Sequence, residues 1–189
     1  MTRLRFASKA DVPALLSIYA HYIPTNITFE YVLPSPEEFA RRVSSISEVY
    51  PYLVAGEKDN TLGYAYAHRI AERAAYGWGA ELSIYLHPAA AGRGLGKRLY
   101  QALMDLLRLQ GVRTVYGLVA SPNPASESLH ASMGFDLMGV QRNAGYKNGS
   151  WIDLLWFEKA IAPYTPEPAP LVPAGKLPGE QVRAILNRF

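Results

Sequence analysis

"HPAAAGRGLGKRLYQALMDLL", residues 87–107, is the stretch on which the fold of this chain turns. Gly92, Gly94 and Gly96 stand at alternate positions, directly before a run in which Leu99, Leu103, Leu106 and Leu107 recur at helical spacing. Gly111 ends that run, as glycine commonly does where a helix stops. A loop of bare backbone before a helix has two readings. It is a steep strand-to-helix turn, or it is a cradle in which successive amides, at the positive end of the helix dipole, meet phosphate oxygens. Arg93, Lys97 and Arg98 would add cations to such a cradle.

Upstream of the loop, "AELSIYLHP" (80–88) alternates as a strand does: Glu81, Ser83 and Tyr85 share one face, while Leu82, Ile84 and Leu86 share the other. Before it, "YPYLVAGEKDNTLGYAYAHRI" (50–70) reads as two strands around a polar turn at Lys58–Thr61. "LRFA" (4–7) is a short first strand, and Val12, Leu15, Leu16, Tyr19 and Ile23 mark a first helix. In "LPSPEEFARRVSSI" (33–46), Ser35, Pro36 and Glu38 form the capping-box pattern that opens a second helix. Downstream, "TVYGLVA" (114–120) is a buried strand; Asn123 and Pro124 start a short helix that Gly134 stops. "LMGVQR" (137–142) and "WIDLLWFEKAI" (151–161) are two closing strands. Strand, two helices, three strands, helix, strand, helix and two strands make an α/β chain with a mixed central sheet of about six or seven strands.

We expect residues 1–162 to form this domain. From Pro163, "PYTPEPAPLVPAGKLP" has the composition of an extended connector. Val182, Ile185, Leu186 and Phe189 then share one face of a short amphipathic helix, with disorder as the competing reading of the tail 163–189.

Composition narrows the chemistry. The chain has 189 residues, 49% of them apolar, enough to bury a core of its own. It has 0 cysteines, which removes disulfides, thiolate metal sites and an acyl-cysteine intermediate. No apolar run has the length of a membrane span and the N-terminus lacks the pattern of a signal peptide, so a cytoplasmic protein without membrane attachment is expected. The net charge is +3, but its basic residues are scattered, which favours a small anionic ligand over nucleic acid. No metal is expected.

The loop fails two nucleotide patterns. Gly-x-Gly-x-x-Gly needs its last glycine where Lys97 or Leu99 stands, and the P-loop needs a small hydroxyl at Arg98. It does resemble the pyrophosphate-binding segment of the GNAT acetyltransferases, Gln/Arg-x-x-Gly-x-Gly/Ala, with Gly94 and Gly96 at the two small positions and Ala91 departing from the first. "NPASESLHASMGF" (123–135) resembles a later segment of that family, with Asn123, Leu129, Gly134 and Phe135 in register and His130 in a tyrosine place. "GYAYAHRIAERAAYGWGAELSIYLHP" (63–88) and "NAGYKNGSWIDLLWF" (143–157) are similar to its phosphinothricin acetyltransferase branch, which acetylates small amino-acid-like amines. The likeness covers roughly residues 3–165.

The resemblance implies acetyl-CoA as co-substrate and a homodimer. Amides of Gly92, Arg93, Gly94, Leu95, Gly96 and Lys97 would hold the pyrophosphate, with Ala91 withholding a side-chain contact. Asn123 and Ser132 would also touch the cofactor, although capping alone explains Asn123. Ile84, Tyr85 and Leu86 would run along the pantetheine arm, their amides facing the acetyl carbonyl. Glu81 is the candidate base, because an ammonium must lose a proton before it attacks; a solvent-facing carboxylate at a strand end is its plain alternative. His130 is either a proton donor to the departing thiolate or a packing residue. Phe29, Arg73, Tyr76 and Tyr85 would contact the acceptor, and Ala71 replaces a lysine found in some relatives. Direct attack in a ternary complex is the expected mechanism. Another amine acceptor, such as a polyamine or protein N-terminus, and a non-catalytic acyl-CoA-binding module are the alternatives.

Overall fold

The structure, a computed structural model, describes residues 2–57 and 60–189. Lys58 and Asp59, half of the expected polar turn, lie outside the described residues. The elements are β1 (Arg3–Phe6), α1 (Val12–Ala20), α2 (Pro36–Val49), β2 (Tyr52–Glu57), β3 (Asn60–Arg69), β4 (Gly79–Leu86), α3 (Leu95–Gln110), β5 (Thr114–Ser121), α4 (Pro124–Ser132), β6 (Asp136–Lys147), β7 (Ser150–Ala160) and α5 (Gly179–Leu186). They follow the order read from the sequence.

The strands form one 7-stranded sheet in the order β1-β2-β3-β4-β5-β7-β6. All neighbours are antiparallel except β4 and β5. That parallel pair runs from Gly79 opposite Thr114 to Leu82 opposite Gly117 and then stops, although β4 continues to Leu86 and β5 to Ser121. The two strands therefore splay apart from Leu82 onward.

Each face of the sheet carries its own core. On one face α3 buries Leu99, Leu103, Leu106 and Leu107 against Ala65, Ala67, Ala80 and Val115. The small alanines let the helix approach closely. On the other, α1 and α2 bury Leu15, Ile18, Phe39 and Val43 against Tyr52, Val54 and Tyr64. Glu81, Ser83 and Tyr85 share the α1/α2 face with these tyrosines, as strand alternation requires.

Local signals act as expected, with one correction. Ser35 caps α2 by accepting from the Glu38 amide at 3.2 Å. The reciprocal half of the box is not formed, because the Glu38 carboxylate pairs with Arg42 one turn on. Gly111 (φ 100°) and Gly134 (φ 71°) take the left-handed conformation after α3 and α4.

β6 is longer than the six residues expected, running to Lys147. Its alternation is broken by a register shift between Gln141 and Gly145, with Asn143 at φ 50°, so period-two reading loses it there. The extended β6–β7 hairpin reaches over the segment after α1. Lys147, 3% exposed, donates through Nζ to the carbonyls of Ile23 and Thr28, both at 2.7 Å.

The tail docks on its own domain. Ala174, Leu177 and Ile185 are buried, the last two in the α3 core. Gln110 Nε2 donates to the Val172 carbonyl at 2.8 Å and Trp78 Nε1 to that of Ala169 at 2.9 Å. Arg188 pairs with Asp105 of α3. Those partners satisfy carbonyls of a proline-rich segment that cannot pair with itself.

Candidate active site

The splay opens a cavity of about 250 Å³, lined among others by Ile84, Tyr85, Leu86, Leu118, Asn123 and His130. Backbone parity along β4 determines what faces it. The His87 amide donates to Leu62 of β3 at 2.8 Å, so Ser83, Tyr85 and His87 form the ladder with β3. Ile84 and Leu86 turn their amides and carbonyls toward the splay. Leu86 is already engaged there: its amide donates to the Tyr22 hydroxyl at 3.1 Å, and that hydroxyl donates back to the Leu86 carbonyl at 2.7 Å. Of the three amides expected to face an acetyl carbonyl, Tyr85 is therefore turned away and Leu86 is held by Tyr22, leaving that of Ile84. Tyr22 has no signal in the sequence, since its partner lies 64 residues away.

At the mouth of the cleft, Gly92 and Gly94 both have φ 74°. An added Cβ would meet nothing within 4 Å at either, so glycine is required there by conformation and not by crowding. Gly94 is the N-cap of α3 and brings no side chain to the first amides, which are left for a ligand. Leu95 and Gly96 are buried at the start of α3, and Gly96 faces Leu129 and Ile84. Its role is close packing of α3 on α4 and β4. Arg93 lies 3.8 Å from Glu57 at the rim. Lys97 and Ser132 share a separate groove with Phe189, outside the cleft. Ala91 lines the cleft itself.

Glu81 lies on β4 immediately before the last parallel pair, where the splay begins. Its carboxylate is 3.5 Å from Nε2 of His68, its register partner on β3. Burial opposes charge on His68, but Glu81 outweighs it and raises the imidazole pKa above its ordinary value. His68 was not among the residues singled out in the sequence.

His130 is 1% exposed, enclosed by the rings of Tyr100, Phe135 and Phe157. Nδ1 lies 2.8 Å from the Ser126 carbonyl, which can only accept, so Nδ1 carries the hydrogen. Nε2 is buried without a partner among the described residues, and burial lowers the pKa. A neutral ring in this tautomer presents a lone pair, so it does not supply the proton expected for a departing thiolate. Asn123 caps α4 by accepting from the Ser126 amide at 3.2 Å and also lines the cleft.

The expected acceptor residues do not converge. Tyr85 packs edge-on against Tyr19 and Tyr22, with ring centroids 5.0 and 5.1 Å away. Phe29 packs on Gly145, where any Cβ would collide with its ring. Tyr76 lines a second cavity with Trp78, Tyr116 and Tyr164, and Arg73 is exposed on the preceding loop. Among the described residues no cluster of three or more metal-ligating side chains occurs, and no helix is long and apolar enough to cross a membrane.

Known proteins are similar to this chain in sequence and fold. A family model described as an acetyltransferase (GNAT) domain matches residues 4–156. The phosphinothricin N-acetyltransferase of Streptomyces viridochromogenes is 34% identical over 167 residues, 87% of this chain and 91% of its own. The L-methionine sulfoximine/L-methionine sulfone acetyltransferase of Salmonella typhimurium is 32% identical, over 82% of this chain and 92% of its own. A crystal structure of a phosphinothricin acetyltransferase from Sinorhizobium meliloti in complex with AcCoA superposes with a TM-score of 0.85 at 35% identity, covering 89% of this chain and 93% of that one. With a splayed parallel pair, a glycine-opened helix beside it and a matching domain model across most of its length, the chain belongs to the GNAT family of acetyltransferases.

Proposed function

We propose that this protein transfers the acetyl group of acetyl-CoA to the α-amino group of a small amino acid or analogue, of the phosphinothricin or methionine sulfoximine and sulfone type. The attack is direct, within a ternary complex. The observation that carries this reading is the position of Glu81, one residue before the β4–β5 ladder ends and the cleft opens. A carboxylate there can take a proton from an amine brought to the end of the cleft.

The chain fits the co-substrate. The first amides of α3, which the N-cap Gly94 leaves uncapped by any side chain, would meet pyrophosphate oxygens, and the cleft would take the pantetheine arm beside Ile84. Bound acetyl-CoA supplies an activated thioester carbonyl. The Ile84 amide would donate to that oxygen, and Glu81 would accept the amine proton. His130 closes the wall of the cleft.

We further propose a homodimer through the β6 edge, where Leu137, Met138 and Val140 are exposed, as are Tyr146 and its register partner Trp151 further along the hairpin. Sedimentation velocity of the full chain tests it, and a monomer at micromolar concentration would sink it. We place the enzyme in the cytoplasm, where its co-substrate is made.

Thiol release from acetyl-CoA, measured against a panel of amino acids, polyamines and peptides, tests the function. Small amino acids are expected to accelerate it, and Glu81→Gln should lower kcat by about 10²–10⁴ with acetyl-CoA binding unchanged. A panel without any active amine overturns the reading; full turnover by the variant overturns the role of Glu81.

A further inference from the structure

We propose that His68 is the proton outlet of the site: it takes from Glu81 the proton that the acceptor amine has given up and passes it to solvent. This rests on the acetyltransferase reading above. An acceptor ammonium loses two protons on becoming an amide. One ends on the released thiol sulfur, and the other must leave the site. In the relay, an N–H bond of the acceptor breaks as an O–H bond forms on Glu81. That O–H bond then breaks as N–H forms at His68 Nε2, and the imidazolium finally gives its proton to water.

Three observations place His68 in this role. First, His68 and Glu81 are opposite one another in the β3–β4 ladder, so both side chains leave the sheet on the α1/α2 face, with Nε2 and Oε1 3.5 Å apart. Second, Nδ1 lies 3.1 Å from the Arg69 carbonyl. A carbonyl only accepts, so Nδ1 carries the hydrogen and neutral His68 turns a lone pair toward the Glu81 carboxylate. Two lone pairs facing each other favour a proton between them, in keeping with the raised affinity of His68 for one. Third, the His68 side chain is 34% exposed against 21% for Glu81, so the histidine is the more open of the two to water.

The other charged groups around the pair are occupied. On β3, Arg69 is held by Glu72, 3.7 Å away. On α2, Arg42, which faces Tyr66, is paired with both Glu30 and Glu38. Tyr66, whose ring is 6.0 Å from that of His68, is pushed by burial to a pKa of about 12 and keeps its proton. On β5, Tyr116 stands in register with Glu81, and burial raises its pKa also. Among the groups named here, titration near neutrality therefore belongs to His68.

Below the His68 pKa the outlet is already filled and cannot take a further proton from Glu81. Turnover should thus fall as the pH drops through a value above 6.5, the ordinary histidine value. The test is kcat against pH for the wild type and His68→Gln, using an amino acid found active in the panel. In the variant the acid limb should leave this region and kcat at pH 8 should fall about tenfold, with KM for acetyl-CoA unchanged. An acid limb unchanged in His68→Gln overturns the proposal. A second readout needs no turnover: the titration midpoint of the His68 ring, followed by NMR, should fall in Glu81→Gln, because the carboxylate that raises it is gone. An unchanged midpoint overturns it as well. A panel with no active amine, in contrast, sinks the acetyltransferase reading itself.

Discussion

Gly117 is fixed by a single neighbour. A Cβ at this position would lie inside the contact radius of His130 Nε2, and His130 is itself walled in by three aromatic rings. Gly117→Ala should therefore cost about 1–3 kcal/mol of stability, the range for forcing atoms into a packed core, and should narrow the cleft. Thermal unfolding and acetyl-CoA titration check both parts; a variant with wild-type Tm and affinity would show that His130 moves aside freely. Legibility at this scale was uneven. The direction of Glu81 followed from strand alternation, a property of the local chain. The partners of Glu81 and Leu86, His68 and Tyr22, depend on register and on a contact between distant segments, which local pattern does not carry. His130 was visible as a candidate, but its role depends on which nitrogen holds the hydrogen, and that is decided by the Ser126 carbonyl beneath it.

Individual elements were easier to read, because caps and stops are local chemistry. α3 starts and ends at glycines in the left-handed conformation, as its sequence indicated. The departure at Ala91 gives a test of the loop register: glutamine there adds a donor at the cleft, so Ala91→Gln should tighten CoA binding or leave it unchanged in a calorimetric titration. A large loss would contradict the assigned register. At the other end of the chain, Asp11 opens α1 and accepts from Arg5 at 2.7 Å and from the Ser8 amide at 2.7 Å. The Arg5 hydrogen bond, chiefly, holds its carboxyl at a pKa of about 2 against partial burial. Because the folded value is depressed, the stabilisation is complete above about pH 4 and is lost as the pH falls toward 2. Asp11→Asn should thus be less stable by roughly 1–2 kcal/mol at pH 7, allowing for the exposed guanidinium, with the gap closing in acid melts. β6 was the element least legible, since its register shift interrupts the period that identifies a strand.

For the molecule as a whole, element order indicated a mixed sheet, while the partnership of the tail did not show. A proline-rich composition describes how the segment can bend and says nothing of where its carbonyls are met; Gln110 and Trp78 meet them. A chain cut after Ala162 would uncover the α3 face that Leu177 and Ile185 cover, and should melt several degrees lower. An unchanged Tm would show that the tail is dispensable to the fold. The meeting of Tyr22 with Leu86 acts at this scale too. A parallel pair that separates in mid-sheet exposes a strand edge in the interior of the protein, and bare edges are templates for mispairing with other chains. With one hydroxyl that both accepts and donates, Tyr22 occupies the Leu86 part of that edge. The same residue that borders the cleft thereby completes the hydrogen bonding of a backbone unit that no neighbouring strand reaches, so the separated strand keeps its line without a ladder there.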